Sequence, residues 1–245
     1  MQMLPYNNQT QSFEIITTAP YACSYIPFRL AQSEIINIHR QINKTEFSFL
    51  LANGFRRSGE HIYRPACHDC GACISLRIKA QHFRLSRNQK RTFAQHQNLR
   101  VQQQGLIFNE EHFKLYCKYQ SIRHPETSNE QDNLATYQSF ILKSRTSSYL
   151  IEFYEPQLVG VDLLKMVSVV DVHDDGLSAV YTFYDPSPGA SYGSYAIMWQ
   201  IQYVQSLDLP YLYLGYWIES SPKMRYKSRF GPHELFINNQ WVDGV

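Results

Sequence analysis

The chain has 245 residues, a net charge of only +2, and a hydrophobic share of 44% that includes 18 Tyr and 14 Phe. This is enough apolar material to bury a core in one large domain or two small ones, which excludes a disordered chain. No basic n-region precedes an apolar run and no segment approaches 18 uninterrupted apolar residues, so neither a secretory signal nor a membrane partner is expected, and the cytoplasm is the expected address.

In chain order, the first hundred residues read as short helices around the cysteine segment RPACHDCGAC (64–73). Thr45 caps a helix through Phe47, Leu50 and Leu51 that stops at Asn53 and Gly54, a usual left-handed terminator. FRRSGEHIYRP turns at Ser58 and Gly59. ISLRI alternates Ile74, Leu76 and Ile78 with polar residues, so a thiol-bearing loop joins two extended segments. Three cysteines stand at i, i+3 and i+6 in a chain with five. In a reducing compartment such a cluster points to metal or redox chemistry before disulfides. Ser86 then caps a helix on which Arg87, Lys90 and Arg91 share one face, a cationic stripe suited to phosphates.

Helical periodicity fits residues 112–123 and 134–142, with Pro125 between them. Strands are expected over 148–154, 158–172 and 177–184. Pro156 lies in the first connection and Asp175-Gly176 in the second, which makes an antiparallel meander. SPGASYGSY leads into a helix with Ala196, Ile197, Ile201 and Val204 on one face, followed by YLYLG as a buried strand. This βαβ-like unit offers free N–H groups at a helix start.

The motifs Cys23-Ser24-Tyr25-Ile26-Pro27, GFRRSG (54–59), YRPACHDCGAC (63–73), RNQKR, Arg123-His124, DGLSAVYTFYDP (175–186), YAIMWQI (195–201) and LPYLYLGYWIESSPKMRYKSRFGP (209–232) occur in one order along nearly the whole chain. In these the chain resembles the bacterial branch of the aminoacyl-tRNA-protein transferases, the aspartate/glutamate leucyltransferases, which are related to the eukaryotic arginyl-tRNA-protein transferases. Two positions depart from the family pattern: the loop 190–195 lacks the family's arginine, and Gly231 stands where relatives usually carry Arg.

The resemblance implies an α+β fold, with a small cysteine-bearing N-terminal domain (1–98) and a GNAT-type acyltransferase domain (99–245) built on a mixed, largely antiparallel sheet. It also implies a reaction, transfer of leucine from leucyl-tRNA to the α-amine of proteins beginning with Asp or Glu, which marks them for degradation as N-degrons. Such aminolysis needs no cofactor. With an α-amino pKa of about 7.7 to 8.0, keeping the amine neutral at pH 7 costs only roughly 1 kcal/mol. Holding amine and ester together contributes roughly 7 to 11 kcal/mol.

Residues follow from this chemistry. Asp185 and Glu219, at the ends of two expected strands, are the proton-handling candidates, and Asp185 before a proline also suits a turn. Tyr181 joins them as a catalytic candidate and, with Phe183 and Met198, as a wall for the leucyl group, although such an aromatic strand also suits a core. The acceptor carboxylate calls for a cationic fork, with Arg56, Arg57, Arg77 and Arg123 as candidates and Arg57, Arg77 and Arg123 ahead; the alternative for each is a structural ion pair. Lys223, Tyr226 and Lys227 occupy the family's K-M-x-Y-K positions and, with Tyr216, are the further substrate-binding candidates. Arg87, Lys90 and Arg91 extend a tRNA-binding track.

Cys23, in the family's other cysteine motif, would complete a four-thiolate site with Cys67, Cys70 and Cys73 for zinc or an iron-sulfur cluster. His68 is a substitute ligand, a metal-free reduced knot is the alternative, and Cys117 reads as core. Transfer from arginyl-tRNA, a CoA-dependent N-acyltransferase and a non-catalytic RNA-binding module are the rival functions.

Overall fold

The computed structural model describes residues 2–6, 11–125 and 133–244. The short helices expected around the cysteines are largely replaced by strands. β1 (Gln2–Tyr6), β2 (Gln11–Thr17), β5 (Ser33–Ile36), β6 (Arg56–Ser58) and β7 (His61–Pro65) form an antiparallel sheet in the order β1-β2-β5-β7-β6, beside a two-stranded ribbon of β3 (Tyr21–Ala22) and β4 (Leu30–Ala31). The cause is a period of two in which Phe13 and Ile15 point inward while Ser12 and Ile16 stay exposed. α1 (Lys44–Ala52) is capped by Asn43 rather than Thr45. Its side chain accepts from Glu46 N, and Glu46, held by Arg40, accepts in return from Asn43 N, a reciprocal capping box. Phe47, Leu50 and Leu51 seal its inner face, and Gly54 ends the segment at φ +81°.

The second sheet has eight strands. β9 (Arg100–Gln104), β10 (Ser148–Glu155), β11 (Leu163–His173) and β12 (Gly176–Tyr184) run as an antiparallel meander, broken at Pro156 and at Asp175-Gly176 as the sequence predicts. The strand expected over 158–172 is β11, which starts at Leu163 because residues 156–162 form an exposed connection. α5 (Tyr192–Ser206) crosses over to β13 (Tyr211–Trp217), which pairs parallel to β12. β8 (Ile74–Lys79), from the cysteine-bearing part of the chain, is an interior strand between β13 and β14 (His233–Ile237), and β15 (Gln240–Asp243) closes the edge. The fold is therefore mixed, with largely antiparallel sheets.

Helices cover this sheet by burying one stripe each. Met198, Ile201 and Val204 of α5 meet Leu76, Ile78 and Leu212. Leu115 and Tyr116 of α3 (Glu110–Arg123) meet Val167, Val169 and Phe183, together with Tyr137 of α4 (Asn133–Tyr137) and Ile141 from the π-helical turn that continues it. Each such side chain contributes roughly 1.5 to 3 kcal/mol by leaving water. α2 (Arg87–Ala94) has its Ser86 cap, completed by Gln89. Among the described residues no helix is long and apolar enough to cross a membrane.

Candidate functional site

β12 and β13 pair only over Gly176–Ser178 and Tyr211–Tyr213, yet β12 continues to Tyr184 and β13 to Trp217. The two strands therefore part, and the groups at their far ends gather around the opening. Tyr184, at the end of β12, stacks edge-on with Tyr119 of α3 at 4.8 Å, and the Arg123 guanidinium lies 5.8 Å from its ring centre. Tyr181 packs edge-on against Tyr119 at 6.3 Å and Phe140 at 5.0 Å. His124 follows α3, with its ring 6.0 Å from Tyr119. Burial lowers its pKa, and the nearby Lys223 and Arg123 cations lower it further. Arg123, Lys223 and Tyr181 are thus brought into one neighbourhood. Tyr226 joins them, since burial and then the Tyr184 hydroxyl raise its phenol above the ordinary range. Phe183 and Met198 are instead fully buried in the core.

The carboxylate candidates differ. Asp185 Oδ1 accepts from Ser187 N at 3.2 Å, Ser187 Oγ at 2.8 Å and Lys118 Nζ at 3.0 Å. Burial raises its pKa, but the Ser187 hydroxyl, Lys118 and the Ser187 amide outweigh it and hold the carboxyl below the ordinary range. This is the turn geometry that an Asp before proline suits. Glu219 is exposed in the turn after β13. His124, a member of the Arg123-His124 motif, has no role among the sequence candidates, and its position here comes from the fold.

Two of the favoured arginines are engaged internally. Arg57 is fully enclosed: Nε and Nη2 donate to Asp171 at 2.8 to 3.0 Å, and Nη1 donates to the Gly59 and Lys143 carbonyls. Arg77 donates to Glu234 at 2.6 Å and to the Tyr213 hydroxyl at 2.9 Å, its guanidinium between the rings of Tyr211 and Trp241 at 3.7 and 4.3 Å. It locks the C-terminal hairpin to the sheet. Tyr216 is buried, and its hydroxyl donates to Gly54 O and Tyr63 O.

KMRYKSRF folds around a 3₁₀ turn (Arg225–Arg229) that sorts its cations. Lys223, Arg225 and Arg229 face solvent with the edge of Tyr226, while Lys227 turns inward and donates to Tyr216 O at 2.7 Å. Burial, and then Arg56, lower the Lys227 pKa to about 7. The exposed Arg87, Lys90 and Arg91 adjoin this turn, because Gln89 Nε2 of α2 donates to Arg229 O at 3.3 Å.

Cys23, Cys67, Cys70 and Cys73 line one cavity of about 380 Å³ with Tyr21, Tyr25, Tyr63 and Tyr216. Burial, followed by Cys67, Cys23 and Cys70, raises the Cys73 thiol to about 11. Cys23 Sγ accepts from Ile26 N, Cys67 Sγ accepts from Gln32 N and donates to Gln32 O, and His68 is exposed against Asp69. Among the described residues no three His, Cys, Asp or Glu side chains stand close enough to hold a metal ion. The four thiols nevertheless share one cavity, in which Cys67, Cys23 and Cys70 are near enough to Cys73 to raise its thiol. Cys117 packs on the α3 side of the core.

A cleft between parting strands, rimmed by cations and tyrosines, is suited to handling an activated acyl group on a polyanionic carrier. The model of the arginine-tRNA-protein transferase N terminus matches residues 21–91, and that of the C terminus matches residues 111–237. The chain belongs to the arginine-tRNA-protein transferase family. It is 45% identical over 239 residues to an aspartate/glutamate leucyltransferase of Methylobacillus flagellatus, covering 97% of this chain and 94% of that one. It is 43% identical over 231 residues to one of Nitrosospira multiformis, covering 94% and 90%. Among solved structures, L-PGS from Bacillus licheniformis aligns with a TM-score of 0.44 and 7% identity over 76% of this chain and 54% of that one, so the chain spans about half of its length.

Proposed function

We propose that this protein transfers leucine from leucyl-tRNA to the α-amine of proteins that begin with Asp or Glu, in the cytoplasm, where its donor is made. The observation that carries the reading is the convergence of Arg123, His124, Lys223, Tyr226 and Tyr184, from three separate segments, at the point where β12 and β13 part. The β12–α5–β13 crossover is consistent with a GNAT-type acyltransferase domain, and the strands and cysteine cavity ahead of it form the N-terminal cysteine-bearing unit.

The exposed face of Lys223, Arg225 and Arg229, continued by Arg87, Lys90 and Arg91, meets the acceptor stem through its phosphates, and Tyr226 offers a ring edge to the terminal bases. The aromatic wall of Tyr119, Tyr181 and Phe140 receives the leucyl side chain. His124, with its pKa lowered, is neutral at pH 7 and takes the proton as the amine attacks the ester carbonyl. Asp185, ionised and tied to Lys118 and Ser187, fixes the end of β12 under Tyr184. The tRNA 3′ hydroxyl leaves and no covalent enzyme intermediate forms. Positioning supplies most of the rate, so no cofactor enters the chemistry.

The test is incubation with labelled Leu-tRNA or Arg-tRNA and peptides beginning with Asp, Glu, Lys or Ala. Label is expected from Leu-tRNA in the Asp and Glu peptides only. Transfer from Arg-tRNA alone would change the donor and keep the mechanism. A melting shift with acetyl-CoA and no transfer from either tRNA would favour a CoA-dependent enzyme.

A further inference from the structure

Two cations are buried together beside the cleft, and among the described residues no carboxylate forms an ion pair with either of them. Arg56, on β6, is 5% exposed; its Nη2 donates to Tyr213 O at 3.0 Å, and its Nη1 is buried with no hydrogen-bond partner. Lys227 is 9% exposed, and its Nζ donates to the Tyr216 carbonyl at 2.7 Å. Among the described residues neither cation forms a salt bridge, and Asp171, which the Arg56 charge still feels, is held by Nε and Nη2 of Arg57.

Gly215 stands between the two. A Cβ built on it would lie 3.3 Å from Arg56 Nη2, 3.6 Å from Arg56 Nε and 3.6 Å from Lys227 Nζ. Its φ of +82° also sets it in the left-handed region that glycine favours, next to the irregularity in β13. The glycine thus keeps clear a small space that two cations face. It lies beyond the last paired residues of β12 and β13, on the stretch of β13 that runs past the opening, and it is itself partly exposed.

Burying an unpaired cation costs several kcal/mol, and burying two side by side costs more. The low Lys227 pKa records that cost in the free protein. An anion that arrives with a substrate would remove it, and a carboxylate, with two oxygens on one carbon, can meet two cations that lie this close to one point. Phosphates of a nucleic acid have the open face of Lys223, Arg225 and Arg229 instead.

We infer that Arg56 and Lys227, across the Cα of Gly215, form the site that binds the side-chain carboxylate of the acceptor's first residue, Asp or Glu. The inference rests on the transferase reading above, which brings a carboxylate beside a nucleophilic amine, and it makes these residues specificity determinants. Arg56 offers a planar edge and Lys227 a point charge, so both carboxylate oxygens find donors.

The test uses the full chain and two peptides that differ only in beginning with Asp or Asn. Peptide binding is measured by calorimetry without tRNA, leucyl transfer is followed by steady-state kinetics, and leucyl-tRNA affinity is measured separately. The parent should bind the Asp peptide more tightly than the Asn peptide. Lys227→Met keeps the volume and removes a buried charge, so it should fold. It should raise the Kd and KM for the Asp peptide roughly 10- to 150-fold, the range for losing a charged hydrogen bond. It should leave the Asn peptide and leucyl-tRNA affinities in place. Gly215→Ala, which fills the space and keeps both cations, should act in the same direction.

An unchanged Asp-to-Asn ratio in Lys227→Met would overturn the inference. So would weakened leucyl-tRNA binding with the acceptor preference intact, which would make the site a phosphate contact. If the parent transfers no leucine but still binds the Asp peptide selectively and loses that selectivity in Lys227→Met, the transferase reading fails and the carboxylate site stands.

Discussion

Arg57 and Asp171 lie 114 residues apart in sequence and close a two-toothed fork in which neither side chain touches solvent. Arg57 is on β6 of the five-stranded sheet and Asp171 on β11 of the eight-stranded sheet, so the pair staples one sheet to the other. Ser148 Oγ donates to the same carboxylate at 2.5 Å. Removing one partner strands a buried charge, whereas removing both does not.

Arg57→Met alone should therefore cost about 3 to 5 kcal/mol of stability, measured by urea unfolding. The double variant Arg57→Met with Asp171→Leu should recover most of that loss. A single variant as stable as the parent would show that the fork is not a staple.

Lys227 gives a pH signature. Its pKa is about 7 in the folded chain and about 10.4 when unfolded, so between those values the unfolded state binds more protons and stability rises with pH, by at most about 1.4 kcal/mol per unit. Below pH 7 this contribution is flat. Lys227→Met should remove the rise between pH 7 and 9. Equal slopes in both proteins would contradict the buried, unpaired ammonium.

The cationic track should appear in salt dependence. Each phosphate contact contributes about −0.7 to the slope of log affinity against log salt on a single strand and about −0.9 on a duplex such as the acceptor stem. Replacing Arg87, Lys90 and Arg91 by Ala should lower the magnitude of the slope for leucyl-tRNA by about 2 to 3, with little change in KM for the acceptor peptide. An unchanged slope would place the tRNA elsewhere.

His124 and Asp185 should separate kinetically. With its pKa lowered, His124 stays neutral at pH 7 and is lost as a base only as pH falls through that lowered value. His124→Gln should lower kcat by about 10²-fold or more at pH 7 with KM little changed. Asp185→Asn removes an anion already committed to Lys118 and Ser187, and should act mainly by loosening the end of β12, with a smaller effect on kcat. A larger kcat loss in Asp185→Asn would return the proton to the carboxylate.

What could be read in advance follows from how local its signals are. The meander was legible because Pro156 and Asp175-Gly176 mark its breaks, and α2 because Ser86 caps it. The N-terminal sheet was not, because its strands are short and pair across distance, as Ser33 does with Pro65. Nor does any local pattern show that Arg57 will find Asp171, or that among the alternating cations of KMRYKSRF it is Lys227 that turns inward. Partners distant in sequence decide those outcomes. Arg123, Lys223 and Tyr226 were found as motif members, whereas the gathering of His124 with them required the fold.

The most direct measurement is of the product itself. The protein is incubated with leucyl-tRNA and a peptide beginning with Asp, the peptide is recovered, and its N-terminus is sequenced, with an α-acetylated copy of the peptide in parallel. Leucine joined through an amide to the α-amine of Asp, and no leucine on the acetylated copy, is the predicted result. An intact leucyl ester and an unmodified peptide, with folded protein present, would contradict the account.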